Sequence, residues 1–193
     1  IHDAIDVVFR SYQLDPRAPD SPSPAADAYA KKFGGPEAAQ KILSHVTSVA
    51  AGDGITFNMD IAQRANTLNA HRSLHYAYDN HGPAKQAELK DELLQAYFTD
   101  GKNIGDLNVL ADCAANVGLD RSAVLQWLQS GEGVQAVVED IQAASDRGIT
   151  AVPSFVINDQ FVIPGAQDVE MFENVLERCL AKLGTSEDSG SEQ

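Results

Sequence analysis

The sequence predicts an α/β protein in which a sheet-bearing domain is interrupted by an inserted, all-helical bundle. Three observations predict it. Residues rich in β-branched and aromatic side chains gather at 5–12, 155–157 and 161–163. Between the first and second of these, from Ala25 to Arg147, helix start and stop signals recur without a convincing strand. Finally, Pro153 stands directly before the second strand, in Gly148-Ile149-Thr150-Ala151-Val152-Pro153-Ser154-Phe155-Val156-Ile157. Proline cannot donate to a sheet ladder and rarely starts a central strand without a reason.

The elements follow in order. Residues 5–12 read as one buried strand, stopped at Leu14-Asp15-Pro16. Residues 16–24 hold four prolines among Asp and Ser, a loop leaving the sheet. Residues 25–33 make a short helix ended by Gly34-Gly35, and Pro36 suits the first turn of a helix reaching about Ala51. Asn66-Thr67 precedes a helix stopped at Gly82-Pro83, and the next runs from about Ala84 to Phe98. Asp106 caps a helix ending at Gly118, Asp120 caps another, and a last one spans about 133–147. The insertion is thus a bundle of about five or six helices. After Pro153, two short strands turn at Asn158-Asp159, and Pro164-Gly165 closes the hairpin. Asp168 caps a helix over 169–183, whose apolar positions Val169, Phe172, Val175, Leu176, Cys179, Leu180 and Leu183 repeat at three and four. Residues 184–193 lack large apolar side chains and read as a disordered tail.

The bulk numbers exclude several functions. With 193 residues and 44% hydrophobic content the chain can build one sizeable core or two small lobes sharing one. Lys plus Arg is 14 against 28 for Asp plus Glu, a net charge of -14, which argues against nucleic acid and anionic membranes as partners. No apolar run approaches the roughly 20 residues of a membrane span. Two distant cysteines, Cys113 and Cys179, make no disulfide framework, so a cytoplasmic location is the expectation.

Five blocks, in order, resemble the DsbA family and within it the bacterial FrnE-like branch. They are Val7-Val8-Phe9-Arg10-Ser11-Tyr12-Gln13-Leu14-Asp15-Pro16, Asn66-Thr67-Leu68-Asn69-Ala70-His71-Arg72, Tyr97-Phe98 with Asn103-Ile104-Gly105-Asp106, Gly148-Ile149 with Val152-Pro153-Ser154-Phe155-Val156, and Gly165-Ala166-Gln167. The resemblance covers almost the whole chain up to about Leu183 and implies a thioredoxin-like domain made of residues 1–16 and 148–183, with residues 25–147 inserted. It also implies a thiol-disulfide oxidoreductase whose nucleophilic cysteine lies in a Cys-Pro-Trp-Cys at the start of the first helix, where the helix N-terminus stabilises the thiolate. That motif is absent here. The chain opens on Ile1 and meets strand-like sequence within a few residues, so the strand and motif are expected upstream of Ile1.

The resemblance makes Val152 and Pro153 the best substrate-binding candidates, Val152 pairing its backbone with the substrate chain and Pro153, cis in the family, facing the redox site. The alternative is an ordinary strand-initiating proline. Asn66, Thr67 and His71 begin the helix expected to overhang the cleft, and two readings stand side by side: a polar substrate contact, or a helix cap at Asn66 or Thr67 with His71 packed between lobes. His71 and His75, four apart, share a helical face as metal ligands would, but no third ligand stands at a diagnostic spacing, so no metal is expected. Cys113 and Cys179 fall on apolar helix faces as small buried hydrophobes, Trp127 as bundle core, and Asp91-Glu92 and Glu139-Asp140 as solvated charge.

Three functions follow from the resemblance. The leading one is a disulfide oxidoreductase acting on protein or small-molecule thiols and disulfides. The alternatives are a glutathione-dependent isomerase or transferase of the 2-hydroxychromene-2-carboxylate type, with glutathione as co-substrate and a serine in place of the cysteine, or a non-catalytic peptide-binding domain. No other cofactor is implied, and a homodimer is a family-level expectation.

Overall fold

The computed structural model describes residues 5–188, with side chains through Lys182. Two compact units emerge, Val7–Ala144, and Ser145–Gln193 together with Ile1–Asp6.

The larger unit carries seven helices: α1 (Ala25–Phe33), α2 (Pro36–Gly52), α3 (Leu68–His81), α4 (Pro83–Phe98), α5 (Leu107–Asn116), α6 (Arg121–Ser130) and most of α7 (Val134–Asp146). The sequence reading of five or six undercounts by one or two, the breaks at Gly34-Gly35 and Gly82 being short. Gly34 ends α1 in the left-handed conformation, and Pro36 follows at once in the first turn of α2. Asp106 accepts from the Asn108 and Val109 amides, and Asp120 from those of Ser122 and Ala123, so α5 and α6 begin where their caps predict. Two strands of two residues pair antiparallel, β1 (Ser23–Pro24) in the stretch expected to be a loop and β2 (Gln63–Arg64) in the region expected to be free of strands.

Two apolar clusters hold this unit together. The main one joins Ala70 and Ala77 of α3, Leu89 and Leu93 of α4, Leu110 and Cys113 of α5, and Val124 and Leu128 of α6, with Trp127 packed against it. Each fully buried leucine there contributes about 1.5–3 kcal/mol. The second gathers Ala25, Met59 and Ala62 under Tyr29, Leu43, Phe57, Tyr97 and Phe98, with the Phe57 and Phe98 rings stacked at 4.4 Å.

The first expected strand does not form. Residues 7–12 form no regular element and have no ladder partner among the described residues. Their backbone bonds to side chains instead: Gln86 of α4, 1% exposed, accepts from the Phe9 amide at 2.8 Å and donates to the Phe9 carbonyl at 3.0 Å. A buried amide side chain thereby does for Phe9 what a neighbouring strand would do.

In the smaller unit the hairpin is β3 (Ser154–Ile157) against β4 (Phe161–Pro164), with Phe155 opposite Ile163 and Val156 opposite Val162. Asn158 and Asp159 both take positive φ, 48° and 57°, a turn their short polar side chains tolerate. Arg147 donates to the Asp159 carboxylate at 2.7 Å. The unit's last helix, α8 (Val169–Asp188), runs past the expected stop at Gly184; the rest of the expected tail, 189–193, lies outside the described residues. Phe172 of α8 meets Phe155 edge-on at 4.7 Å, while Val169, expected on the buried face, is 74% exposed. The hairpin is mostly open: Phe155, Val156, Phe161 and Val162 are exposed and Ile163 is its only buried apolar residue. Two strands and one helix have too little apolar surface to cover both faces.

Candidate functional site

The Val152–Pro153 peptide bond is cis and lies at the mouth of the hairpin. The Pro153 carbonyl accepts from the Gly165 amide at 2.8 Å, continuing the β3–β4 register by one pair, and Ser154 Oγ donates to the Ala151 carbonyl at 2.8 Å. Val152 is 44% exposed and Pro153 is exposed beside it. The loop thus presents an apolar, chargeless surface whose backbone is fixed from behind.

In the larger unit, Asn66 and His71 are both committed to holding chain segments. Asn66 Oδ1 accepts from the Leu68 amide at 2.9 Å and from Gln13 Nε2 at 3.0 Å, while its Nδ2 donates to the Ala18 carbonyl at 3.1 Å. Thr67 stands at the N-cap of α3 without a side-chain capping bond, its carbonyl taking the His71 amide. The half-buried His71 ring donates to the Tyr12 backbone; burial pushes its pKa below the ordinary histidine value, the Tyr12 bond opposes this, and the nearby His75 adds to it.

One constellation escaped the sequence reading. Asp140 of α7, read as solvated charge, has a side chain only 12% exposed, and the correction has a clear cause. Its Oδ2 accepts from the Ser11 amide at 2.8 Å and lies 3.0 Å from His75 Nε2, with Arg10 at 3.7 Å from its other oxygen. Burial alone would raise the Asp140 pKa; the His75 hydrogen bond, then the Ser11 amide and the His75 and Arg10 charges, outweigh it and hold the carboxyl below the ordinary value. Ser11 Oγ also lies 3.1 Å from His75 Nε2. A nucleophilic serine relay needs serine and carboxylate on opposite ring nitrogens, and here both face Nε2. The group is therefore a tether for residues 10–12, not an activated hydroxyl. Its members are 64 and 65 positions apart, with only the His71/His75 spacing to hint at them.

The two cysteines are both free and are not bonded to each other. Cys113 is buried in the main cluster, and burial, reinforced by the Glu92 charge, pushes its thiol up to about 11. Cys179, half-buried on α8, is also free. Among the described residues, no three His, Cys, Asp or Glu side chains stand together as metal ligands would, and no helix is long and apolar enough to cross a membrane.

A helical unit paired with a cis-proline hairpin and its following helix defines a thioredoxin-like protein with a helical insertion. The chain belongs to the DSBA-like thioredoxin domain family, whose sequence pattern matches residues 1–177. It is similar to the uncharacterized protein YwbO of Bacillus subtilis (strain 168), 28% identical over 179 residues, 89% of this chain and 81% of the relative. Among solved structures it is similar to a probable DsbA oxidoreductase, SCO1869, from Streptomyces coelicolor, with a TM-score of 0.82 and 27% identity over 93% of this chain and 77% of that one. A structure from Nitrosomonas europaea, at TM-score 0.63 and 21% identity over 76% of each chain, shares the fold.

Proposed function

We propose that this chain belongs to a thiol-disulfide oxidoreductase of the FrnE-like kind, acting on protein or small-molecule disulfides, with its redox cysteines carried N-terminal to Ile1. The observation that carries the reading is the exposed cis Val152–Pro153 loop in a chain of the DSBA-like family; the similarity to the Streptomyces coelicolor oxidoreductase supports it. Buried and protonated, Cys113 makes a poor nucleophile, so the reacting thiolate is a residue other than the buried thiol of α5.

In this reading an upstream thiolate attacks one sulfur of the substrate disulfide and expels the other as a thiolate, leaving a mixed disulfide. A second cysteine then attacks the enzyme sulfur, releasing the reduced substrate and leaving the enzyme pair oxidised. Val152 and Pro153 serve as the wall against which the substrate chain lies. Proline suits the place because it brings neither charge nor N–H near a thiolate. Asn66 and His71 act there by fixing the start of α3 through their side chains, and Thr67 through its backbone carbonyl.

The test is insulin-disulfide reduction by the protein expressed with its native upstream sequence, beside a variant in which the first upstream cysteine is serine. Reduction by the first and its loss in the second are expected. A native serine at that position, with glutathione binding by calorimetry, would replace the proposal with the glutathione-dependent isomerase. Peptide binding without any reduction would replace it with a non-catalytic domain.

A further inference from the structure

Residues 9–13 are held in an unusual way. Their backbone makes no ladder bonds and is gripped by side chains from three helices: Gln86 of α4 on Phe9, Asp140 of α7 on Ser11, and His71 of α3 on Tyr12, with His75 on the Ser11 hydroxyl. Three of these four side chains are titratable, so the hold on the segment depends on protonation in a way that a sheet ladder does not. We propose that residues 9–13 form a latch that mild acid releases, with His71 as its trigger. The latch is independent of the redox reading.

The surrounding charges decide the trigger. On the segment itself lie Arg10, whose guanidinium also sits 5.8 Å over the Tyr78 ring, and Tyr12. From α4, Lys90 Nζ stands 4.5 Å over the Phe9 ring; from α3 come His71 and His75; from α7 comes Asp140, the one carboxylate the described contacts bring to this group. His75 Nε2 faces Asp140 at 3.0 Å. His71 instead meets the Tyr12 backbone, and a charge on it is opposed first by its burial and then by His75 one helical turn away, which the Tyr12 bond and the pull of Asp140 do not offset. Asp140 stays ionised across the histidine range, so it is not the group that lets go first.

The sign follows from linkage. A histidine whose folded pKa lies below its unfolded 6.5 leaves the closed state favoured above that value, and the advantage is lost as pH falls from it toward the folded pKa. Each unit of depression is about a tenfold change in the closed-to-open ratio.

Amide hydrogen exchange on the full chain tests this, comparing Ser11 with Leu110 of the α5 core at about pH 7.5 and about pH 5.5, corrected for intrinsic rates. Ser11 protection is expected to fall relative to Leu110, by up to about tenfold, the bound that a single histidine sets at this pH. In His71→Gln, which can donate to Tyr12 but cannot charge, the ratio should hold constant. Asp140→Asn should leave Ser11 weakly protected at both values. The proposal is overturned if Ser11 keeps its protection in acid, if Ser11 and Leu110 lose it together, or if a folded His71→Gln responds as the wild type does. Should His71→Gln not fold, the His71 ring resonances of the wild type decide: latch opening must share their titration midpoint, and a separate midpoint overturns the idea.

Discussion

Removing the Arg72 guanidinium should unfasten the end of α6. Arg72 is 3% exposed on α3, and its head reaches across to the last turn of α6: Nη2 donates to the Leu128 carbonyl at 3.0 Å and the Trp127 carbonyl at 3.3 Å, and Nε to the Glu132 carbonyl at 2.6 Å. Nη1 is steadied by Asn69 Oδ1 at 2.7 Å, and the guanidinium carbon lies 5.3 Å from the Trp127 ring centroid. Among the described residues no carboxylate shares a hydrogen bond with this cation. What stabilises it is the negative end of a helix, its carbonyls, an aromatic face and the nearby Glu132 charge.

The cost of Arg72→Met can be built up piece by piece. Trp127 O keeps a second donor, Ser130 Oγ at 2.7 Å, and Glu132 is exposed to water, so the acceptor left bare is the buried Leu128 carbonyl. A buried acceptor without a partner costs about 1–3 kcal/mol. Loss of the charge at the helix end adds about 0.3–2 kcal/mol, and loss of the cation–π contact about 0.5–2 kcal/mol. Together these predict a loss of about 3 kcal/mol, with Arg72→Lys falling between Met and wild type because it restores the charge but not the fork of donors. Urea unfolding followed by Trp127, the only tryptophan, reads this unit directly, and a slope of about 1–3 kcal/mol/M turns the loss into a midpoint shift of roughly 1–3 M. An unchanged midpoint for Arg72→Met, or Lys as damaging as Met, would refute the reasoning.

Gln86→Leu keeps the buried volume but strips the partners from both Phe9 backbone groups, and should cost about 2–4 kcal/mol, with exchange at the Phe9 amide rising sharply in hydrogen-exchange spectra. Gly133→Ala places a methyl 2.3 Å from Trp127 Cη2 on a backbone with φ of +78°, so a lowered melting temperature and shifted tryptophan emission are expected; a neutral outcome would mean the indole moves freely. Cys113, with its thiol pushed up to about 11, should stay unmodified by a thiol reagent in the folded protein at about pH 8 and react on unfolding, which peptide mass mapping distinguishes from Cys179.

What the sequence revealed was whatever depends on neighbours a few positions away. Asp106 and Asp120 announce their helices because a cap acts on amides two and three residues on. Gly82-Pro83 marks the α3–α4 corner because one residue has positive φ and the next cannot continue a helix. The Pro153 loop, its turn and its following helix were legible for the same reason. Asp140 was not: beside Glu139 it looks like surface charge, and only the return of α7 against a segment 129 residues earlier gives it a backbone amide to bind.

The N-terminal segment shows why such misreadings have a direction. Val7, Phe9 and Tyr12 have strand propensity, but propensity describes how a side chain fits a pleated, half-covered surface, and it cannot supply the neighbour. Among the described residues no strand lies beside 7–12, so Val7 is 58% exposed and the free amides take carboxylate and amide side chains instead. The same shortage marks the hairpin, where Val156 and Val162 face each other at 38% and 43% exposure. A segment without regular structure and a hairpin, each with open sheet edges and apolar faces, are what strand-like sequences become when no further ladder partner lies among the described residues. If, as the proposed function has it, a strand and redox motif stand upstream of Ile1, protein carrying that segment should show raised exchange protection at the outward-facing Ser154 and Val156 amides of β3; equal protection with and without it would show that the hairpin edge needs no upstream partner.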